Sequence, residues 1–360
     1  MRLAIAHEWL VRYGGSERCV EELLHEFPDS RLLTTVVAPD AVPASFHGAE
    51  PSLLQRVPGS TAHHEWLLPL MPAAWRLRRP VGDVDAVLSS SHACAKAVRV
   101  EDGIAHVCYC HSPMRYAWNF EAEAPRFPRR LRPLARRSMA TFRRWDRGTA
   151  GRVTHFVANS TAVRRRIERF YGRTAEVVFP PVRTDYFTPN GAERGDSFLY
   201  VGRLVAYKRP DLVVRAFAGL PHRLVVVGKG QLGPELRAIA TPNVEFRPSV
   251  DDDELRALYR EARALVYPVE EDFGIAIAEA QACGTPVIAF AKGGARDIVR
   301  DGETGWLLDE QTVEALRRAV VAAARDDLDA TAIRANADRF SGARFREQMH
   351  GVLTEITGTR

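Results

Sequence analysis

The sequence predicts an α/β protein made of two doubly wound domains, and three observations carry that expectation. At 360 residues the chain exceeds one ordinary core and suits two domains of roughly 150–200 residues each. Short apolar runs alternate with helical patterns along its length, which is the signature of a parallel sheet flanked by helices. Near the middle, FPPVRTDYFTPNGAERGDS (179–197) breaks the alternation with prolines and glycines and no helical period, and reads as an inter-domain linker.

In the first half, RLAIA (2–6) reads as the opening strand, followed by a loop holding YGG (13–15) and an amphipathic helix from about Ser16 to Phe27. Further strands are expected at LLTTVV (32–37), AVLSSS (86–91), AHVCYC (105–110) and HFVANS (155–160), with irregular or helical insertions at 51–80 and 113–150. In the second half, strands are expected at FLYVG (198–202), RLVVVG (223–228), VEFRP (244–248), ALVYP (264–268), PVIAF (286–290) and WLLD (306–309). Helices lie between them, such as DDELRALYREA (252–262), whose Leu255, Leu258 and Tyr259 fall on one face. FREQMHGVLTEIT (345–357) is a last amphipathic helix with no strand after it. The expected organisation is one domain at 1–182, a second at 183–340, and a C-terminal helix within 341–360 that packs back on the first domain.

Composition narrows the function classes. Apolar residues at 46% with 26% charged exclude wholesale disorder. No run of about 18 apolar residues exists and the opening is too short for a signal peptide, so a cytoplasmic protein is expected. Five scattered cysteines, three of them (Cys108, Cys110, Cys283) in or beside apolar stretches, read as buried reduced thiols. CYCH (108–111) has no second Cys/His pair at zinc spacing, so no metal is expected there. Charge is uneven: residues 1–182 hold 26 basic and 18 acidic residues, a net +8, and the remainder 24 and 27, a net −3. Nine arginines fall in 125–148, which reads either as a solvated helical face or as a surface for anionic lipid or a phosphate-bearing acceptor. Nucleic acid is not expected, because aromatic residues are not interleaved as a stacking platform needs.

The unusual residues stand at the carboxyl ends of expected strands, where open parallel sheets bind ligands. In EEDFGIAIAEAQACGTPVI (270–288), Glu271 lies in a loop and Glu279 on the second turn of the following helix. The N–H groups of Phe273, Gly274 and Ile275 are expected to point between them. An extended ligand with two hydroxylated rings and an anionic middle fits this layout, since carboxylates accept strongly from vicinal hydroxyls. Arg203 and Lys208, in GRLVAYKRP (202–210), place two cations at another strand end, suited to a diphosphate and to stabilising its departure. DDD (251–253) resembles a metal-binding acid cluster, but it opens a helix and reads as cap and dipole partners.

VGRLVAYKRPDL, EEDFGIAIAEAQACGTPVIA and KGGARDIV resemble the donor-binding half of retaining glycosyltransferases of family 4, with their E-x7-E pattern. HEWLVRYGGSERCVEEL (7–23), CYCHSPMRYAWNF (108–120) and VANSTAVRRRIERFYG (157–172) resemble the subgroup of bacterial mannosyltransferases that build O-antigen and related polysaccharides. The resemblance implies the GT-B fold, two Rossmann-like doubly wound domains facing across a cleft. It implies that Glu271 holds donor-sugar hydroxyls, Glu279 the ribose, and Arg203 and Lys208 the diphosphate. Phe273, Gly274 and Ile275 would act through backbone N–H groups. Gly14 and Gly15 would allow close approach to phosphate and acceptor, and His111 would stand near the donor sugar. It further implies a metal-independent, retaining hexosyltransferase that needs no cofactor beyond its nucleotide-sugar co-substrate, GDP-mannose being favoured. The acceptor would be a glycan or a polyprenyl-diphosphate-linked chain, with peripheral membrane contact through 125–148. UDP- or dTDP-sugar donors with a soluble natural-product acceptor, and a non-catalytic sugar-nucleotide binder, are the alternatives. An epimerase would need its own acid/base cluster, and none is found.

Overall fold

The structure, a computed structural model, describes residues 1–118, 120 and 129–358. It divides into two compact units, Met1–Pro181 together with the C-terminal stretch from Ala343, and Val182–Gly342. The part of the arginine-rich stretch at 125–128 lies outside the described residues.

The first unit is built on a parallel sheet. Its elements in order are β1 (Leu3–His7), α1 (Gly15–Glu26), β2 (Arg31–Leu33), α2 (Met71–Leu77), β3 (Ala86–Ser91), β4 (Ala105–Cys110), α3 (Arg115–Trp118), α4 (Arg132–Ala150), β5 (His155–Ala158), α5 (Thr161–Tyr171) and β6 (Glu176–Val177). The strand order is β2-β1-β3-β4-β5-β6. Because side chains alternate across a strand, the unbroken run LAIA serves two cores. Leu3 and Ile5 join Val20, Leu23 and Phe345 on one face, and Ala4 and Ala6 join Met71, Ala74 and Trp75 on the other. LLTTVV pairs over a shorter span than expected: only Leu32 and Leu33 lie in β2, while Val37 makes an isolated bridge to Leu10. Thr34 and Thr35 leave the ladder, their hydroxyls donating to Val36 O at 3.4 Å and to Glu8 O.

The second unit repeats the plan with β7 (Phe198–Val201), α6 (Pro210–Phe217), β8 (Leu224–Val227), α7 (Gly233–Ile239), β9 (Val244–Arg247), α8 (Asp252–Glu261), β10 (Ala264–Tyr267), α9 (Ile275–Ala282), β11 (Val287–Phe290), α10 (Ala295–Ile298), β12 (Gly305–Leu308), α11 (Val313–Arg325) and α12 (Ala330–Ala337). Its parallel order is β12-β11-β10-β7-β8-β9. Phe198, Tyr200, Val226, Val266 and Ile288 face α6 and α11 across a core that includes Phe217, Leu316 and Val320.

Two expectations change. The stretch read as a linker is fixed to the second unit from Val182 onward: Val182 bridges Ser341, Phe187 is fully buried against Tyr259, and Arg334 donates to the carbonyls of Thr184 and Phe187. Prolines and glycines abolish helical period, but they do not prevent packing of the aromatic and aliphatic residues between them. The arginine-rich stretch presents a solvated face, with Arg129, Arg130, Arg136, Arg137, Arg144 and Arg147 exposed, but its inner side is structural. α4 buries Asp146, which pairs with the buried Lys96 and accepts from Trp118 Nε1 at 2.6 Å and Tyr171 OH at 2.7 Å.

The last helix, α13 (Gly342–Thr357), packs on α1 through Phe345 and Met349, with Arg346 paired to Glu22 and His350 to Glu26 at 2.7 Å. Among the described residues no helix is long and apolar enough to cross a membrane.

Candidate active site

Each sheet has a point where the chain stops adding strands on one side and resumes on the other, and crevices open there at the carboxyl ends. In the second unit that point lies between β7 and β10, the two strands followed by Lys208 and Glu271. A short 3-10 turn, Ala206–Lys208, follows β7, and Arg209 then takes a left-handed conformation (φ +51°) before Pro210 starts α6. This sharp reversal returns Lys208 over the sheet. Its ammonium pairs with the Glu271 carboxylate and donates to Tyr267 OH at 3.0 Å, while Tyr267 OH donates to Glu271 Oε2 at 2.6 Å. Arg203 donates to Tyr207 OH at 2.6 Å, and the Tyr207 ring centroid is 5.9 Å from both the Arg203 guanidinium carbon and Lys208 Nζ.

Glu279 stands on the second turn of α9, nearly buried at 9% exposure, and accepts from the buried Tyr259 OH at 3.3 Å. It is therefore more enclosed than the sequence suggested. Gly274 precedes α9 in the left-handed region at φ +103°, where a side chain would be strained. Phe273 is buried with its ring 5.4 Å from that of Phe340, so its backbone is the part left for a ligand. Ile275, half-buried, is the first residue of α9. The Asp251–Asp253 run is occupied structurally: Asp251 caps α8 by accepting from Glu254 N, Asp252 pairs with Arg183, and Asp253 with Arg256.

Gly293 holds the Glu271 loop in place. Gly294 N donates to Glu271 O at 3.0 Å, and a Cβ on Gly293 (φ +66°) would lie 2.1 Å from that same oxygen. Gly293→Ala is thus expected to displace Glu271 and to cost about 1–3 kcal/mol of stability, read as a lowered thermal midpoint. An unchanged midpoint would show that the loop yields freely.

In the first unit the equivalent point lies between β1 and β3, with β4 beside β3. Four side chains form a hydrogen-bonded chain there. The Glu17 carboxylate accepts from His7 Nε2 at 3.4 Å; His7 Nδ1 and Ser90 Oγ are 3.1 Å apart; Ser90 Oγ and His111 Nε2 are 2.8 Å apart. Burial, reinforced by the neighbouring His92 and His7, drives His111 well below the usual imidazole range, so it is neutral at physiological pH. Gly14, the residue before α1, is extended (φ −157°), a conformation open to any residue; its constraint is steric, since a Cβ would meet Glu17 Oε2 at 3.1 Å. Gly15 is the first residue of α1.

Burial would raise Glu17, but the hydrogen bond and charge of His7, its own N–H and the charge of His92 bring it down to about 2. A carboxylate held below its unfolded value stabilises the fold above that value, here 4.5, and loses the contribution as pH falls towards 2. Wild type should therefore exceed Glu17→Gln by about 3 kcal/mol near neutrality. Denaturant melts should show the gap closing below about pH 4.5; a gap constant with pH would refute the assignment.

Glu8 was not legible as a site residue. Its buried carboxylate accepts from Ser91 Oγ (2.9 Å) and from the N–H groups of His92 (3.1 Å), Ala93 (2.7 Å), Cys94 (2.8 Å) and Ala95 (2.9 Å). Burial works to raise it, yet the His92 charge and the N–H groups of Ala95, Cys94 and Ala93 hold it below the ordinary carboxylate range. It fixes the β3 loop that carries His92. Tyr267, closing the Lys208–Glu271 cluster, was missed too, although its place at the end of a strand was a usable signal. The structure thus brings Lys208 and Glu271 together, sets Arg203 and Glu279 on tyrosine partners of their own, and places His111, Gly14 and Gly15 on the other sheet.

Comparison with known proteins agrees with this architecture. Residues 13–186 match the family described as Glycosyltransferase Family 4, and residues 183–340 match Glycosyl transferases group 1. D-inositol 3-phosphate glycosyltransferase of Thermomonospora curvata is 37% identical over 200 residues, which covers 45% of this chain and 46% of that protein. The chain thus spans under half the length of that curated relative. Sucrose-phosphate synthase of Thermosynechococcus elongatus superposes with a TM-score of 0.74 at 20% identity over 100% of both chains. Anabaena HepE, solved in complex with UDP-glucose, superposes with a TM-score of 0.71 at 16% identity over 99% of this chain and 100% of that one. These likenesses establish the fold as GT-B. One family match falls largely in each unit, Glycosyltransferase Family 4 on the first and Glycosyl transferases group 1 on the second.

Proposed function

We propose that this protein transfers a hexosyl group from a nucleoside diphosphate sugar to a hydroxyl acceptor, with retention at the anomeric carbon and without a metal. The observation that carries the reading is the meeting of Lys208, Glu271 and Tyr267 at the switch point of the second sheet. The cluster offers a carboxylate to sugar hydroxyls beside an ammonium for the leaving diphosphate. Arg203 adds a second cation, and Glu279 would hold the ribose. His111, neutral, would hydrogen-bond the donor sugar rather than add charge. In the reaction the anomeric carbon–phosphate oxygen bond breaks, and the acceptor oxygen bonds the same carbon on the same face. The acceptor proton passes to the departing phosphate oxygen. No protein nucleophile is required, so rate enhancement comes from positioning and leaving-group stabilisation.

GDP-mannose is the favoured donor, on the resemblance of the first-domain motifs to mannosyltransferases, with a glycan or polyprenyl-diphosphate-linked acceptor. A second reading, a UDP-sugar donor with a soluble acceptor, draws support from two relatives: HepE binds UDP-glucose, and the Thermomonospora protein is named for inositol 3-phosphate. A thermal-shift panel of GDP, UDP, ADP and dTDP separates the two. The cognate nucleotide at about 100 times its dissociation constant should add about 2.7 kcal/mol. Stabilisation by none of the four would overturn the nucleotide-sugar reading itself.

A further inference from the structure

Nine large apolar side chains are exposed among the described residues, and five of them fall between Leu53 and Leu77 of the first unit. Side chains exposed to this degree add little to the buried core. Residues 64–77 form one helical run, a 3-10 stretch His64–Leu70 passing directly into α2. Its inward side explains why it folds: Met71, Ala74 and Trp75 are buried, and Leu67 and Leu68 pack against the same cluster. Its outward side carries Trp66 at 80% exposure, Leu70 at 52% and Leu77 at 72%. Large apolar side chains on the outward as well as the inward side of one helical run mark a face that is ordinarily covered.

The charge along the segment is predominantly positive. Between residues 51 and 80 there are four arginines and one acid, Glu65. Arg78 turns inward, donating to the carbonyls of Thr34 and Glu50 at 2.6 Å. Arg76 and Arg79 are exposed and have no ion-pair partner among the described residues. A tryptophan and leucines facing outward with arginines at their border have the composition of segments that lie in a bilayer interface. At about 20 Å the run is too short to span a bilayer but suits lying in its plane.

We infer that residues 64–79 form a docking face for an anionic lipid bilayer, Trp66, Leu70 and Leu77 entering the boundary between headgroups and acyl chains while Arg76 and Arg79 engage lipid phosphates. The inference is independent of the proposed transfer reaction and uses a segment other than 125–148. The full chain, without nucleotide, is sedimented with vesicles of phosphatidylcholine alone and of phosphatidylcholine mixed with phosphatidylglycerol, at low and physiological salt. Wild type should bind the anionic vesicles, and bromine-labelled acyl chains should quench a part of its fluorescence that Trp66→Phe lacks. The triple variant Trp66→Ser, Leu70→Ser, Leu77→Ser should lose at least about tenfold in vesicle affinity. It should keep the wild-type circular dichroism and nucleotide thermal shift, since all three side chains face outward. Arg76→Glu with Arg79→Glu should abolish the preference for phosphatidylglycerol. Arg129→Glu, Arg130→Glu and Arg137→Glu together should leave affinity within about threefold, because charges on α4 and on the turn before it add only diffuse attraction. The inference is overturned by absence of vesicle binding, by undiminished binding of the serine variant, or by loss of binding in the Arg129 set alone. It is equally overturned if wild type self-associates without lipid and the serine variant does not, which would give the face to a second copy of the chain.

Discussion

Lys208→Ala is expected to lower turnover at least ~100-fold, the typical cost of removing one preorganised donor from developing negative charge. The structure explains why no neighbour would compensate. Arg203 is held on Tyr207 OH, and Tyr267 OH already donates to Glu271, so neither replaces an ammonium beside the leaving group. The variant would also leave the Glu271 carboxylate with its negative charge unopposed, close to where the diphosphate is proposed to sit. On the proposed mechanism the effect should fall on kcat and kcat/KM together, since the interaction would strengthen as the bond between the anomeric carbon and the phosphate oxygen breaks. Lys208→Arg should recover only part of the rate, because a planar fork does not reproduce a point charge in a site 13% exposed at this side chain. The fold itself should be little affected, as Tyr267 still satisfies Glu271. Near-normal turnover of the alanine variant would remove Lys208 from the mechanism.

Glu8→Gln should produce the largest loss of stability, about 3–5 kcal/mol, as expected when two or more buried N–H donors lose their acceptor at about 1–3 kcal/mol each. The substitution is nearly isosteric, so the effect isolates hydrogen bonding. Glu8 Oε2 accepts from Cys94 N at 2.8 Å and Ala95 N at 2.9 Å, and Oε1 accepts from the remaining donors. A glutamine amide would set its own N–H groups against some of those donors whichever way it turned, leaving buried donors unmatched. At about 2–4 °C per kcal/mol for a domain of this size, the thermal midpoint should fall on the order of 10 °C. The β3 loop should loosen with it, seen as faster amide exchange at Ala93–Ala95. Retention of the wild-type midpoint would show that the network contributes nothing net.

Much of the architecture was legible. Strands β3 and β4 fall on the sequence windows AVLSSS and AHVCYC, and the six strands of the second unit each lie within one or two residues of expectation. Apolar runs of four to six residues bounded by glycine, proline or polar residues are local signals, and buried parallel strands need no partner to be visible. The boundary between the units, at Pro181–Val182, falls inside the stretch read as a linker, but the packing of Val182–Thr188 was not legible, for the complementary reason. Phe187 is buried only because Tyr259, far along the chain, offers a ring 5.7 Å away, and no local pattern announces such a contact. Glu8 was missed likewise. It is one carboxylate beside a strand end, and its five backbone and side-chain donors come from residues more than 80 positions later.

By itself the sequence determined where the strands run and which reactive side chains stand at their carboxyl ends, because periodicity and glycine placement are written residue by residue. Tertiary structure alone decided which ends are neighbours. Setting β10 beside β7 joins Lys208 to Glu271 and Tyr267, and setting β3 beside both β1 and β4 joins Glu17 through His7 and Ser90 to His111. Strand order arises from the packing of helices over both faces of a sheet, a sum over distant contacts that no stretch of the chain encodes alone.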